Sequence, residues 1–109
     1  MSRLRVRYVT IYVFPPPARG KAPIVSTSPE RLVARAGDAI EWTVVNASGL
    51  PGRVTLGWQK DNPLKGTTGE PFDRRARDTV RTKAKDGVYK YSVLLDGKVV
   101  FDPDIEIMS

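Results

Sequence analysis

The chain has 109 residues and a formal net charge of +6, enough for one domain with one hydrophobic core and too short for two. It contains no Cys and no His, which removes disulfides, thiolate nucleophiles, the commonest metal ligand and the commonest general base near neutral pH. An apolar fraction of 40% is too high for a disordered chain, and nine prolines with nine glycines set short elements and frequent turns.

No stretch keeps apolar residues at three- and four-residue spacing without meeting Pro or Gly, so no helix is predicted. Residues 3–14 read as an N-terminal strand. Arg3, Arg5 and Arg7 alternate with Leu4 and Val6, and the run from Tyr8 to Phe14 is then apolar on both faces. A strand of that kind enters the core or is covered by a partner, so a second copy of the chain is one expected occupant of residues 8–14. Pro15-Pro16-Pro17 ends it, because proline lacks the amide proton a sheet ladder needs, and 15–23 is a proline-rich connector.

Ile24-Val25-Ser26-Thr27 is a short strand, and Gly37-Asp38 a turn. Ala39 to Asn46 is the clearest strand of the first half, with Ile40, Trp42 and Val44 on one face. After the loop Ala47–Gly52, Arg53 to Gln59 alternates again, with Val54, Leu56 and Trp58 inward. Residues 60–75 show no period and are predicted as a long loop, with Leu64 and Phe72 as its anchors. Arg77 to Lys85 is predicted as a strand with a basic stripe on its odd positions. Asp86-Gly87 and Asp96-Gly97 then bracket a β-rich run as two hairpin turns, with Tyr89, Tyr91, Val93 and Leu95 on one face. Val99-Val100-Phe101 returns, and Asp104 to Met108 closes the chain with Ile105 and Ile107 inward.

Short strands with frequent turns and no helix predict a single all-β domain over 1–109, an antiparallel Greek-key β-sandwich. The pattern Gly37-Asp38-x-Ile40-x-Trp42-x-Val44-x-Asn46, followed by Asp86-Gly87-x-Tyr89-x-Tyr91-x-Val93, resembles the cupredoxins over roughly residues 24–109. An immunoglobulin-like sandwich is the alternative fold. The resemblance implies a type 1 copper centre, which needs two His, a Cys thiolate and usually an axial Met. The corresponding positions carry Arg53 or a neighbour, Val93 and the Asp96-Gly97 turn, with Met108 beyond the axial position. The expectation is therefore a cupredoxin-like domain with no copper site and no cofactor.

The pointed functional feature is a basic set: Arg74, Arg75, Arg77, Arg81, Lys83 and Lys85. Cations at strand spacing suit an acidic protein partner or nucleic acid, but no aromatic residue interleaves with them for base stacking. The carboxylates Asp102, Asp104 and Glu106 alternate outward along the last strand, too spread to converge on a metal. The reading is a non-enzymatic binding or assembly module with a protein partner; the alternative is a basic single-stranded nucleic-acid-binding domain. The sequence holds no membrane span and points to the cytoplasm, or to the periplasm or exterior if a signal peptide has been removed.

Overall fold

A computed structural model of the chain describes residues 5–66 and 69–109. Arg3 and Leu4, at the start of the first predicted strand, and Thr67 and Thr68, inside the predicted loop, lie outside the described residues. Nine strands are formed among the described residues and no helix: β1 (Val6–Phe14), β2 (Ile24–Ser28), β3 (Arg31–Ala34), β4 (Ala39–Asn46), β5 (Val54–Trp58), β6 (Arg75–Thr79), β7 (Gly87–Leu95), β8 (Lys98–Phe101) and β9 (Asp104–Ile107). They make two sheets. One has the order β2-β1-β4-β6, the other β3-β9-β7-β5 with β8 beside β7. Most pairs are antiparallel, but β1 with β4 and β3 with β9 run parallel. The molecule is elongated, 52 × 24 × 21 Å.

The period of two that marks these strands is the period of the core. Val9, Ile11 and Val13 of β1 are buried, as are Ile40 and Trp42 of β4, Val54 and Leu56 of β5, Tyr91 and Val93 of β7, and Ile105 and Ile107 of β9. Trp42 and Tyr91 come from opposite sheets and touch in the middle of the sandwich. A β-sandwich forms because each sheet has one apolar face and each covers the other.

Two turn readings separate. Asp96-Gly97 is the hairpin turn between β7 and β8, with φ of 49° and 84° at its two residues and Leu95 paired to Lys98. Asp86-Gly87 forms no hairpin. It follows the crossing from one sheet to the other, and the Asp86 carboxylate accepts hydrogen bonds from the Ser109 amide and hydroxyl. Gly37 and Asp38 make the turn between β3 and β4: Gly37 has φ 88°, and the Asp38 carboxylate accepts from the Arg35 amide and pairs with Arg7 at 3.1 Å.

The predicted strand 77–85 is wrong at its far end. Strand β6 stops at Thr79, Val80 makes one isolated bridge with Leu64, and residues 81–85 form a turn that carries the chain to the other sheet. The predicted loop ends earlier than expected, since Arg75 already pairs with Thr43. What precedes β6 is held against the body. Leu64 is fully buried, the Lys65 amide donates to the Thr79 carbonyl, and Phe72 bridges Val54. This segment covers part of an edge strand that would otherwise offer unpaired amides.

Candidate binding surfaces

The six basic residues fall into two groups. Arg81, Lys83 and Lys85 lie in the turn after β6, where Lys60 joins them from the segment after β5. These four cations line a groove of about 440 Å³ together with Asp61 and Tyr89. The groove has fixed walls. Arg81 Nε donates to the Leu64 carbonyl at 2.7 Å and its amide donates to the Pro63 carbonyl, while the Tyr89 hydroxyl donates to the Lys85 carbonyl at 2.6 Å. Among the described residues, no carboxylate lies within ion-pair distance of Lys60, Arg81, Lys83 or Lys85.

Arg74, Arg75 and Arg77 are elsewhere, on and just before β6. Arg75 and Arg77 project from the outer face of the four-stranded sheet, and Arg75 Nε pairs with Glu41 at 3.1 Å. Sequence reasoning finds no aromatic residue among these cations, but the sheet supplies them from β1. Tyr8, Tyr12 and Phe14 alternate with buried Val9, Ile11 and Val13, so they face outward on the same surface. In register, Tyr8, Glu41 and Arg77 form one row across β1, β4 and β6, and Thr10, Thr43 and Arg75 form the next. The signal in the sequence is the two-sided apolar run of β1; what it does not carry is that β1 lies beside β4 in parallel.

The carboxylates near the C-terminus also differ from expectation. Asp104 is not a free outward group: Arg31 holds it in a two-point contact, Nε to Oδ1 at 2.7 Å and Nη2 to Oδ2 at 3.1 Å, with β3 and β9 in register. The hydrogen bond to Asp104, with that carboxylate's charge, raises the Arg31 pKa above its ordinary value. Asp102 accepts from Ser92 and Gln59. Among the described residues, no group of three or more potential ligand side chains is placed to hold a metal ion.

At the other end of the sandwich the copper-ligand positions are filled by hydrocarbon and backbone bonds. Val93 is fully buried and sits in register with Leu56. Arg53 and Asp96 are stitched together: the Arg53 amide donates to Asp96 Oδ1 at 3.0 Å, and the Asp96 amide donates to the Arg53 carbonyl at 2.9 Å. A Cβ on Gly52 would stand 2.9 Å from Leu95 Cδ1, so the Leu95 side chain already occupies the space a ligand there would need. These residues do not fit a type 1 copper centre, which requires imidazole and thiolate donors.

No family model and no curated sequence matches the chain. Its similarity is to solved structures. A purple cupredoxin from Nitrosopumilus maritimus aligns with a TM-score of 0.56 at 16% identity, over 91% of this chain and 98% of that one. Oxidized plastocyanin from Dryopteris crassirhizoma aligns at 0.51 and 11% identity, over 91% and 99%. A multi-copper oxidase from Pseudomonas thermotolerans aligns at 0.58 and 12% identity, over 96% of this chain but only 30% of that protein. These likenesses show the fold: it is a cupredoxin-like β-sandwich. Within it, the chain lacks the copper ligands, having neither His nor Cys.

Proposed function

We infer that the chain is a non-catalytic binding module, built on a cupredoxin-like sandwich without a copper site, that takes an acidic segment of a protein partner into the groove of Lys60, Arg81, Lys83 and Lys85. The observation that carries this reading is the convergence of four cations on one groove whose lining holds one carboxylate, Asp61, and none of the four is within ion-pair distance of a carboxylate among the described residues. Like charges held together repel and weaken the compact state, and an incoming polyanion relieves that repulsion while long-range attraction speeds its encounter. Hydrogen bonds from Arg81 and Tyr89 to the backbone fix the groove before any partner arrives, which lowers the ordering cost of binding. The imidazole and thiol groups that do much of the acid–base and nucleophilic work of enzymes near neutrality are missing from the sequence.

The test is calorimetric titration with a glutamate-rich peptide at low salt. Binding that weakens steeply as salt is added, and that is lost in the double variant Lys83→Glu, Lys85→Glu, is the expected result. Equal affinity in the charge-reversed variant, or no heat at low salt, refutes the reading.

A further inference from the structure

We propose that the outer face of the sheet β2-β1-β4-β6 is a second binding surface, distinct from the basic groove, and that it takes single-stranded nucleic acid by stacking bases on Tyr8, Tyr12 and Phe14 with phosphates at Arg74, Arg75 and Arg77. Single exposed aromatic residues are common on strands and can be held by same-face neighbours, but Tyr8, Tyr12 and Phe14 lie together on one solvent-facing side of β1. Tyr8 is 62% exposed and Phe14 42%, and next to them Ile24 and Val45 are also exposed. The Tyr12 and Phe14 rings stand 5.9 Å apart with planes within 15° of parallel. The two rings thus stack on each other along the strand, and a base can extend that stack at either end. Alternate residues on β1 advance about 7 Å, a step that matches one nucleotide of an extended strand.

The charges select this occupant over a second copy of the chain. Arg77 projects from the same face in register with Tyr8, two strands away and about 10 Å across the sheet, and Arg75 is in register with Thr10, one row short of Tyr12. Arg74 and Arg75 line a recess with Thr43 at that edge. Among the described residues of these strands, Glu41 is the carboxylate on this face, between the two rows, and Arg75 already engages it. Face-to-face packing of two copies would bring two chains of net charge +6 together, which opposes self-association. An anionic strand meets the same field as an attraction, and base stacking gives it a use for aromatic rings that a simple salt contact lacks.

The test is fluorescence anisotropy with an end-labelled thymidine oligonucleotide at low ionic strength. Affinity should fall steeply with salt, and Tyr8→Ala and Tyr12→Ala should each weaken binding by about 5- to 100-fold. Arg75→Gln should flatten the dependence of log affinity on log salt by about 0.7. The groove variant Lys83→Glu, Lys85→Glu should leave the contribution of Tyr8 and Tyr12 unchanged, which separates this surface from the acidic-peptide site. Urea unfolding checks that each variant is folded; the exposure of Tyr8 makes its replacement safe. Three results overturn the proposal: folded aromatic variants that bind as the parent does, equal affinity for duplex, or a concentration-dependent dimer in sedimentation that Tyr8→Ala abolishes.

Discussion

The indole N–H of Trp42 donates to the hydroxyl of Tyr91 at 3.3 Å, and the two rings meet nearly edge to face with centroids 6.1 Å apart. Both side chains are fully buried, and they belong to different sheets. The contact therefore joins the two layers by a polar bond inside an apolar core. Trp58 packs against Tyr91 as well, with centroids 5.3 Å apart. Replacing Tyr91 with Phe keeps the ring and leaves the Trp42 N–H without its acceptor, which costs about 1–3 kcal/mol. Replacing it with Ala adds a cavity and costs about 3–5 kcal/mol. Urea unfolding of the two variants measures both; a Phe variant as stable as the parent removes the hydrogen bond from the account.

The same tyrosine gives a pH signature. Burial pushes the Tyr91 phenol from its ordinary 10.0 up to about 12, with the hydrogen bond from Trp42 working in the opposite direction. The folded state thus holds its proton more tightly than the unfolded state. Its contribution to stability is complete below pH 10 and is lost as the pH rises toward 12, where the unfolded chain ionises first. The loss amounts to about 2–3 kcal/mol. Since Tyr91→Phe has no phenol, the gap in stability between parent and variant should close over that range. A gap that stays constant with pH shows the phenol to be solvated.

A further prediction concerns the segment before β6. Asp78 is buried, and its carboxylate accepts from the Thr79 amide at 2.7 Å and from the Gly66 amide at 3.2 Å. That second bond ties the segment to the edge of the sheet. Asp78→Ala leaves the Gly66 amide without this acceptor, at a cost of about 1–3 kcal/mol. Trypsin should then cut faster after Lys65, and Asp78→Asn, which keeps one carbonyl acceptor, should fall between parent and Ala. Identical digestion of all three would show that Leu64 alone anchors the segment.

Asp78 also explains what is legible in the sequence and what is not. Strands β4, β5 and β7 are readable because each alternates large apolar residues with polar ones, and that alternation is itself the mechanism of burial. Strand β6 is hard to place because its inward residues are Ala76 and Asp78, which carry little hydrophobic signal. The stripe Arg81, Lys83, Lys85 alternates convincingly, but Thr82 and Ala84 give no apolar face to hold a strand, and the segment turns instead. Sheet neighbours leave no local trace at all. The parallel pairing of β1 with β4 brings Tyr8 into the same row as Arg77, from the far side of the chain, and no periodicity within either segment announces it. The absence of copper ligands, by contrast, is visible at once, because composition alone decides it.

The last prediction lies where those ligands would have been. Asp96 has φ 49°, a left-handed conformation that aspartate and asparagine tolerate and β-branched residues resist. Its carboxylate also accepts from the Arg53 amide, so one residue both shapes the β7–β8 turn and binds the start of β5. Asp96→Asn retains the backbone freedom and a side-chain oxygen, and its stability should lie within about 0.5 kcal/mol of the parent. Asp96→Val loses both and should cost about 1–2 kcal/mol. Urea unfolding of the two variants separates two explanations of the turn. If Val and Asn are equally stable, the hairpin is held by the Leu95–Lys98 pairing and by the packing of Leu95 over Gly52, and the stitch between Arg53 and Asp96 contributes nothing.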